Sequence, residues 1–159
     1  MKNVISRLAD AGLTLPKAPT PTWNFVPFRR CGNMVFIAGQ TCIIDEIPVH
    51  TGTLGLDLTI EEGQRAAQVC ALNTLAQVAI ACDGDFSKVT MLKMTGFIRG
   101  TDDFAMQAKV LNGASDLFVT ALGERGRHAR AAIGTNSLPR HSPVEIETIF
   151  EVVLCPKSW

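Results

Sequence analysis

Between Thr59 and Gly84 the chain announces a long helix that must lie close to something flat. Thr59-Ile60-Glu61-Glu62 is a capping box, in which the threonine hydroxyl and the glutamate three residues on satisfy each other's free backbone amides at a helix start. Through "AAQVCALNTLAQVAIACDG", Val69, Leu72, Ala76, Ala79 and Ile80 recur at helical spacing, and the many small side chains predict tight packing on a sheet. A second helix is predicted from about 104 to 122, with Val110, Ala114, Leu117, Phe118, Ala121 and Leu122 as its apolar stripe and Gly123 as its terminator.

The strands fit around these helices. "NFVPFRRCGNMVFIAGQTCII" reads as two short strands joined at Cys31-Gly32-Asn33, with Gly39 where a close approach to the backbone is expected. "DEIPVHTGTLG" is poorly patterned and reads as loop. "SKVTMLKMTGFIRG" reads as a strand with Val89, Met91 and Lys93 alternating against Thr90, Leu92 and Met94. Residues 127 to 153 supply two last strands about a Leu-Pro loop, read as a hairpin. The order strand, strand, helix, strand, helix, strand, strand predicts an α+β chain with two helices packed on one face of a mixed sheet. A short helix over 3–12 and the proline-bearing "LPKAPTPTW" make residues 1–22 an N-terminal helix and extended arm of a single domain spanning 1–159.

Fifteen Lys and Arg balance fifteen Asp and Glu. No basic field exists to attract a phosphate backbone, which disfavours nucleic acid as partner. The five cysteines are scattered, with no Cys-x-x-Cys pair, and read as reduced, mostly buried thiols. His50, His128 and His141 lie far apart and suggest no metal site. No segment reads as a secretory signal or as a membrane span, so a cytoplasmic protein without a membrane partner is expected.

In "RHARAAIGTNSLPRHSPVEIE", alternation puts His128, Arg130, Ala132 and Gly134 on one strand face. Arg130 stands among alanines and an isoleucine that look destined for a core, so its guanidinium is expected to be buried, and it has two readings. As a structural group it bonds loop carbonyls or reaches Glu145 or Glu147 across the hairpin. As a functional group it offers a small carboxylate a flat fork with two parallel hydrogen bonds. Glu145 and Glu147, two residues apart, share a face, where a carboxylate could serve as general base or the pair could simply be strand-edge charge.

"GNMVFIAGQ", "ARAAIGTNSLP" and "VEIE", in this order of strands and helices, resemble the Rid family, also called YjgF-like or endoribonuclease L-PSP-like proteins. The resemblance runs from about residue 19 onward. Its most specific part is the arginine, Leu-Pro eight residues on, then Glu-x-Glu. The longer arm, "NGASDLF" and "GRHAR" look like one slightly longer branch. The resemblance implies a chorismate-mutase-like fold and a homotrimer whose sheets meet in a central barrel. It also implies interface clefts that bind small carboxylates and hydrolyse 2-imino or enamine acids to a 2-keto acid and ammonia, without a metal or cofactor.

By that resemblance Arg130 is the carboxylate clamp and Glu145 the group that positions or activates water. Gly39 borders the cleft, and Asn112 matches a cleft-lining helix asparagine across a short insertion. Phe25 stands where family members carry a tyrosine, and Ala132 where they often carry a cysteine. A small carboxylate-bearing imine or keto acid is therefore the expected partner. The alternatives are a non-catalytic carboxylate-binding or regulatory protein with the same cleft, and an endoribonuclease, which the neutral charge and the separated histidines argue against.

Overall fold

The computed structural model describes residues 3–153, in which helices and a mixed sheet alternate as an α+β chain. Helix α1 (Val4–Asp10) leads through the extended arm to strands β1 (Phe28–Cys31) and β2 (Met34–Thr41). A small hairpin of β3 (Ile43–Ile44) and β4 (Ile47–Pro48) follows. Then come helix α2 (Ile60–Ala81), strand β5 (Val89–Arg99), helix α3 (Gln107–Leu122), strand β6 (Ala129–Thr135) and strand β7 (Val144–Val152). The main sheet runs β1-β2-β7-β5-β6, with β5 and β6 parallel and the other neighbours antiparallel.

Strands β6 and β7 are thus not the hairpin that the sequence suggested. The Leu138-Pro139 segment carries the chain across the end of β5, where Arg99 N–H donates to Pro143 O at 2.9 Å, and β7 returns on the far side. The loop after β2 also holds more structure than its pattern shows. Asp45 and Glu46 both have positive φ, 48° and 66°, the geometry that closes a two-residue hairpin. Asp-Gly or Asn-Gly would have signalled that turn.

One face of the sheet is covered by helices and the other is open. Val35, Ile37, Met91, Met94, Ile98, Val144, Ile146 and Phe150 point to the helix side and are buried. A bulge at Leu92 explains why Met91 and Met94 both point inward: the register slips between Met91 and Lys93, so the simple alternation through Lys93 breaks there. The open face carries Phe36, Lys93, Thr95, Phe97, Glu145, Glu147, Ile149 and Ile133.

Helix α2 starts at the expected box, with Thr59 Oγ1 accepting from Glu62 N–H and Glu62 Oε2 accepting from Thr59 N–H at 2.8 Å. Its buried surface is wider than, and rotated from, the expected stripe. Ala66, Ala67, Cys70, Ala71, Thr74, Leu75 and Val78 are fully buried, whereas Ile80 is 56% exposed. The helix is enclosed by the sheet, by α3 and by the arm, whose Pro19 carbonyl accepts from Gln77 at 2.6 Å. Cys42, Cys70 and Cys82 are buried free thiols and Cys31 is an exposed one; Cys155 lies outside the described residues.

The two long helices touch backbone to backbone. A Cβ at Gly113 of α3 would lie 2.1 Å from the carbonyl oxygen of Gln64 in α2, inside any real contact distance. Rigid helix backbone cannot yield as a side chain would, so the helices must separate to admit a methyl group. Gly113→Ala is expected to cost about 2–3 kcal/mol. A thermal melt should show this as a Tm lower by roughly 4–10 °C, and an unchanged Tm would contradict the close crossing.

Candidate functional site: a charged edge and a carboxylate on opposite faces

Strand β6 is an edge strand, and α3 covers only one of its faces. Arg130 pairs in register with the buried Met94, which puts it on the helix side, but at the rim. It is exposed, as are its neighbours Ala129 and Ile133, so it is not the buried fork that the alanine-rich pattern suggested. Neither Glu145 nor Glu147 is its partner. Its Nη1 donates to Ser115 Oγ at 3.0 Å and its Nη2 to the Ala108 carbonyl at 3.1 Å, both on α3. Of the two readings left open by the sequence, the structural one was right that a carbonyl is bonded, though it belongs to a helix and not to a loop.

Two such bonds use two of the five guanidinium N–H groups and leave the others for solvent or a ligand. Asn112 is exposed on the same side of α3, four residues after Ala108 and three before Ser115, and so flanks the guanidinium by helical geometry. Ala132 follows Arg130 on the same strand face, partly buried against the core. Beyond it, Gly134 opens onto a polar recess lined by Thr101, Asp102, Gln107, Thr135 and Asn136. Arg130, Ala132 and Asn112 therefore form one continuous surface.

Glu145 belongs to another surface. Its neighbours Val144 and Ile146 are buried on the helix side, so alternation turns Glu145 to the open face, across from Phe97 on β5 and Thr41 on β2. Gly39 sits in a bulge of β2, where Ala38 and Gly39 together oppose the single residue Glu147 on β7. A Cβ at Gly39 would lie 2.0 Å from Glu145 Oε1. The close approach that this glycine permits is thus made by the chain's own carboxylate.

Strand β5 separates the strands that carry Arg130 and Glu145, and the two point to opposite sheet faces. Strand spacing and rise put their Cα atoms roughly 14 Å apart. Phe25 is farther still in the sheet order, preceding the edge strand β1, and is 52% exposed. One copy of the chain therefore brings together Arg130, Ala132 and Asn112 at one place and Gly39 and Glu145 at another, and Phe25 lies on the side of the second group, two residues before Pro27, whose carbonyl accepts from Ala38 N–H at 3.0 Å.

The sequence reading missed Ser115 and Ala108, the partners of Arg130. Their seven-residue spacing on α3, two helical turns, was the available signal. Partial burial, and secondarily the charge of Glu147 two residues away, raise the pKa of Glu145 above the ordinary carboxylate value. As pH falls, Glu145 takes up a proton before an unperturbed glutamate would. Glu147→Gln removes the like charge and should lower the Glu145 pKa, as read by side-chain carboxyl NMR; a value unmoved or raised would contradict this electrostatic picture.

Comparison with known proteins places this geometry. Residues 5–151 match the model of the family described as "YjgF/chorismate mutase-like, putative endoribonuclease". Protein TCP17 of Trypanosoma cruzi is 38% identical over 151 residues, which are 94% of either chain. The crystal structure of Atu1372 from Agrobacterium tumefaciens, a protein of unknown function, superposes with a TM-score of 0.89 at 44% identity, covering 94% of this chain and 92% of that one. RidA from an Antarctic Psychrobacter superposes with a TM-score of 0.59 at 25% identity, covering 86% and 94%. By that match over residues 5–151, and with a mixed sheet whose parallel pair carries an arginine at its rim and whose bulge glycine lies beside a glutamate, the chain belongs to the YjgF/chorismate mutase-like family.

Proposed function

We propose that the protein hydrolyses small 2-imino or enamine acids to the 2-keto acid and ammonia, in clefts between the subunits of a homotrimer. The observation that carries this reading is Arg130. A guanidinium fixed by two bonds to a helix, with donors to spare and an alanine-and-glycine strand beside it, is built to receive a small carboxylate. The relationship to RidA and the other family members supports the same choice.

In this reading each cleft takes Arg130, Ala132 and Asn112 from one copy and Glu145, Gly39 and Phe25 from another. Support comes from the separation of the two groups within one chain, and from the apolar side chains on the open sheet face. Phe36 and Met34, each 40% exposed, and Ile133, 44% exposed, lack cover in the monomer. Phe25 then contributes an apolar wall without the hydrogen bond that a tyrosine would give.

The chemistry asks little. Arg130 holds the carboxylate, and outward-facing backbone groups of the edge strand at Ala132 hold the imine nitrogen. Glu145 orients a water toward the imine carbon, takes its proton as the carbon–oxygen bond forms and passes it to the nitrogen to give a carbinolamine. The carbon–nitrogen bond then breaks as the carbinol hydroxyl gives its proton, through Glu145, to the departing ammonia. The raised pKa suits both halves of that exchange, because it brings the carboxylate nearer the pH at which it must give the proton back. RNA cleavage, named in the family description, is the weaker reading for a chain whose charges cancel.

Freshly generated 2-iminopropanoate should disappear faster in the presence of the protein. Arg130→Ala should abolish that acceleration, and Glu145→Gln should reduce it about 100-fold or more, with keto-acid binding retained in the second variant. If wild-type protein leaves the decay rate unchanged while 2-oxobutanoate still raises its Tm, the site binds carboxylates without catalysis.

A further inference from the structure

Behind Arg130 stands a chain of hydrogen bonds that the proposed chemistry does not use. Ser115 Oγ lies 3.0 Å from Arg130 Nη1 and 3.2 Å from His128 Nε2, and His128 Nδ1 lies 2.7 Å from the Gly126 carbonyl. The proton positions follow from what each atom can do. A carbonyl only accepts, so His128 Nδ1 carries the ring proton and Nε2 of the neutral imidazole is an acceptor. Ser115 must then donate its hydroxyl hydrogen to Nε2, which turns an oxygen lone pair toward Arg130.

Each link is anchored. The His128 ring meets Phe118 edge-on, with centroids 5.9 Å apart and an interplanar angle of 84°, and Phe118 is fully buried in the core. Gly126 presses on α3 so closely that a Cβ there would lie 2.1 Å from the Phe118 carbonyl oxygen. Burial foremost, with the Arg130 charge adding to it and the Gly126 bond opposing, lowers the His128 pKa and keeps the ring neutral, as an acceptor must be. The turn before β6, the helix α3 and the side chain of Arg130 are thereby locked together.

We infer that Ser115 and His128 are positioning residues that fix the guanidinium of Arg130 for a carboxylate ligand, Ser115 by direct contact and His128 by orienting the Ser115 hydroxyl. The inference rests on the reading of Arg130 as a carboxylate clamp. Without them Arg130 keeps its charge and its bond to Ala108, but its fork is free to turn, so ordering entropy is lost when a ligand binds. Binding should weaken while folding is nearly unaffected.

The test uses the full-length protein with the Arg130 Nε–H signal followed by NMR and 2-oxobutanoate binding followed by calorimetry. Ser115→Ala should speed rotation and solvent exchange at Arg130 and raise Kd about tenfold, while Ser115→Thr, which keeps the hydroxyl, restores both. His128→Phe, which keeps the ring and removes the acceptor, should act in the same direction. In an Arg130→Ala background, Ser115→Ala should add nothing further to Kd. An Arg130 signal unchanged by Ser115→Ala, or a Kd penalty that persists without Arg130, would overturn the inference. Wild-type protein that fails to bind 2-oxobutanoate would instead overturn the proposed function, and the NMR signal would still decide whether Ser115 and His128 order Arg130.

Discussion

The parallel pairing of β6 with β5 is the constraint from which the rest of the site follows. A parallel neighbour requires a crossover, and α3 is that crossover, so it must lie against the strand it leads into. Arg130, on the helix face of an edge strand, meets α3 and bonds to its Ser115 and Ala108. The next strand, β7, leaves the outer edge of β6 unpaired and runs instead on the far side of β5. That placement sends Glu145 to the open face, two strands away from the arginine that lies fifteen residues before it in the chain.

Helix α3 consequently does two jobs with two sides. Val110, Leu111, Ala114, Leu117, Phe118 and Ala121 bind it to the core and are buried. Ala108, Asn112 and Ser115, at the margin of that buried stripe, face the rim where Arg130 stands. The first job makes the second possible: the helix can hold a guanidinium in place only because Gly113 lets it settle directly on the backbone of α2. A loosened crossing would move Ser115 and Ala108 together relative to β6.

Much of this was legible in the sequence, and the failures have physical causes. Local signals served well. The capping box at Thr59, the stop at Gly123 with φ 66° and the turn at Gly32 with φ 58° depend on neighbours in the chain, and all stand where expected. Signals that depend on distant partners misled. Small residues around α2 packed on three sides, so no single apolar stripe described it and Ile80 was wrongly turned inward. The bulge at Leu92 reset an alternation that assumed two residues per repeat. Adjacency in sequence suggested a β6–β7 hairpin, whereas the Leu138-Pro139 segment carries the chain across the end of β5 to its far edge. The burial expected for Arg130 came from reading alanines as core, though on an edge strand they are simply small. Motif spacing gave the positions of Arg130, Glu145 and Gly39, but not that the first stands on one sheet face and the other two on the opposite one.

Under the proposed function, that division is met by a cleft that takes its arginine from one copy of the chain and its glutamate from another. The direct measurement is imine hydrolysis by mixed oligomers of Arg130→Ala and Glu145→Gln subunits, co-expressed so that they assemble together. Each variant alone carries a defect in all of its clefts. In mixed oligomers, clefts that take the arginine from one subunit and the glutamate from the other are intact, so activity should return well above that of either variant alone. Mixed oligomers that form but remain as inactive as their parents would contradict a site shared between copies.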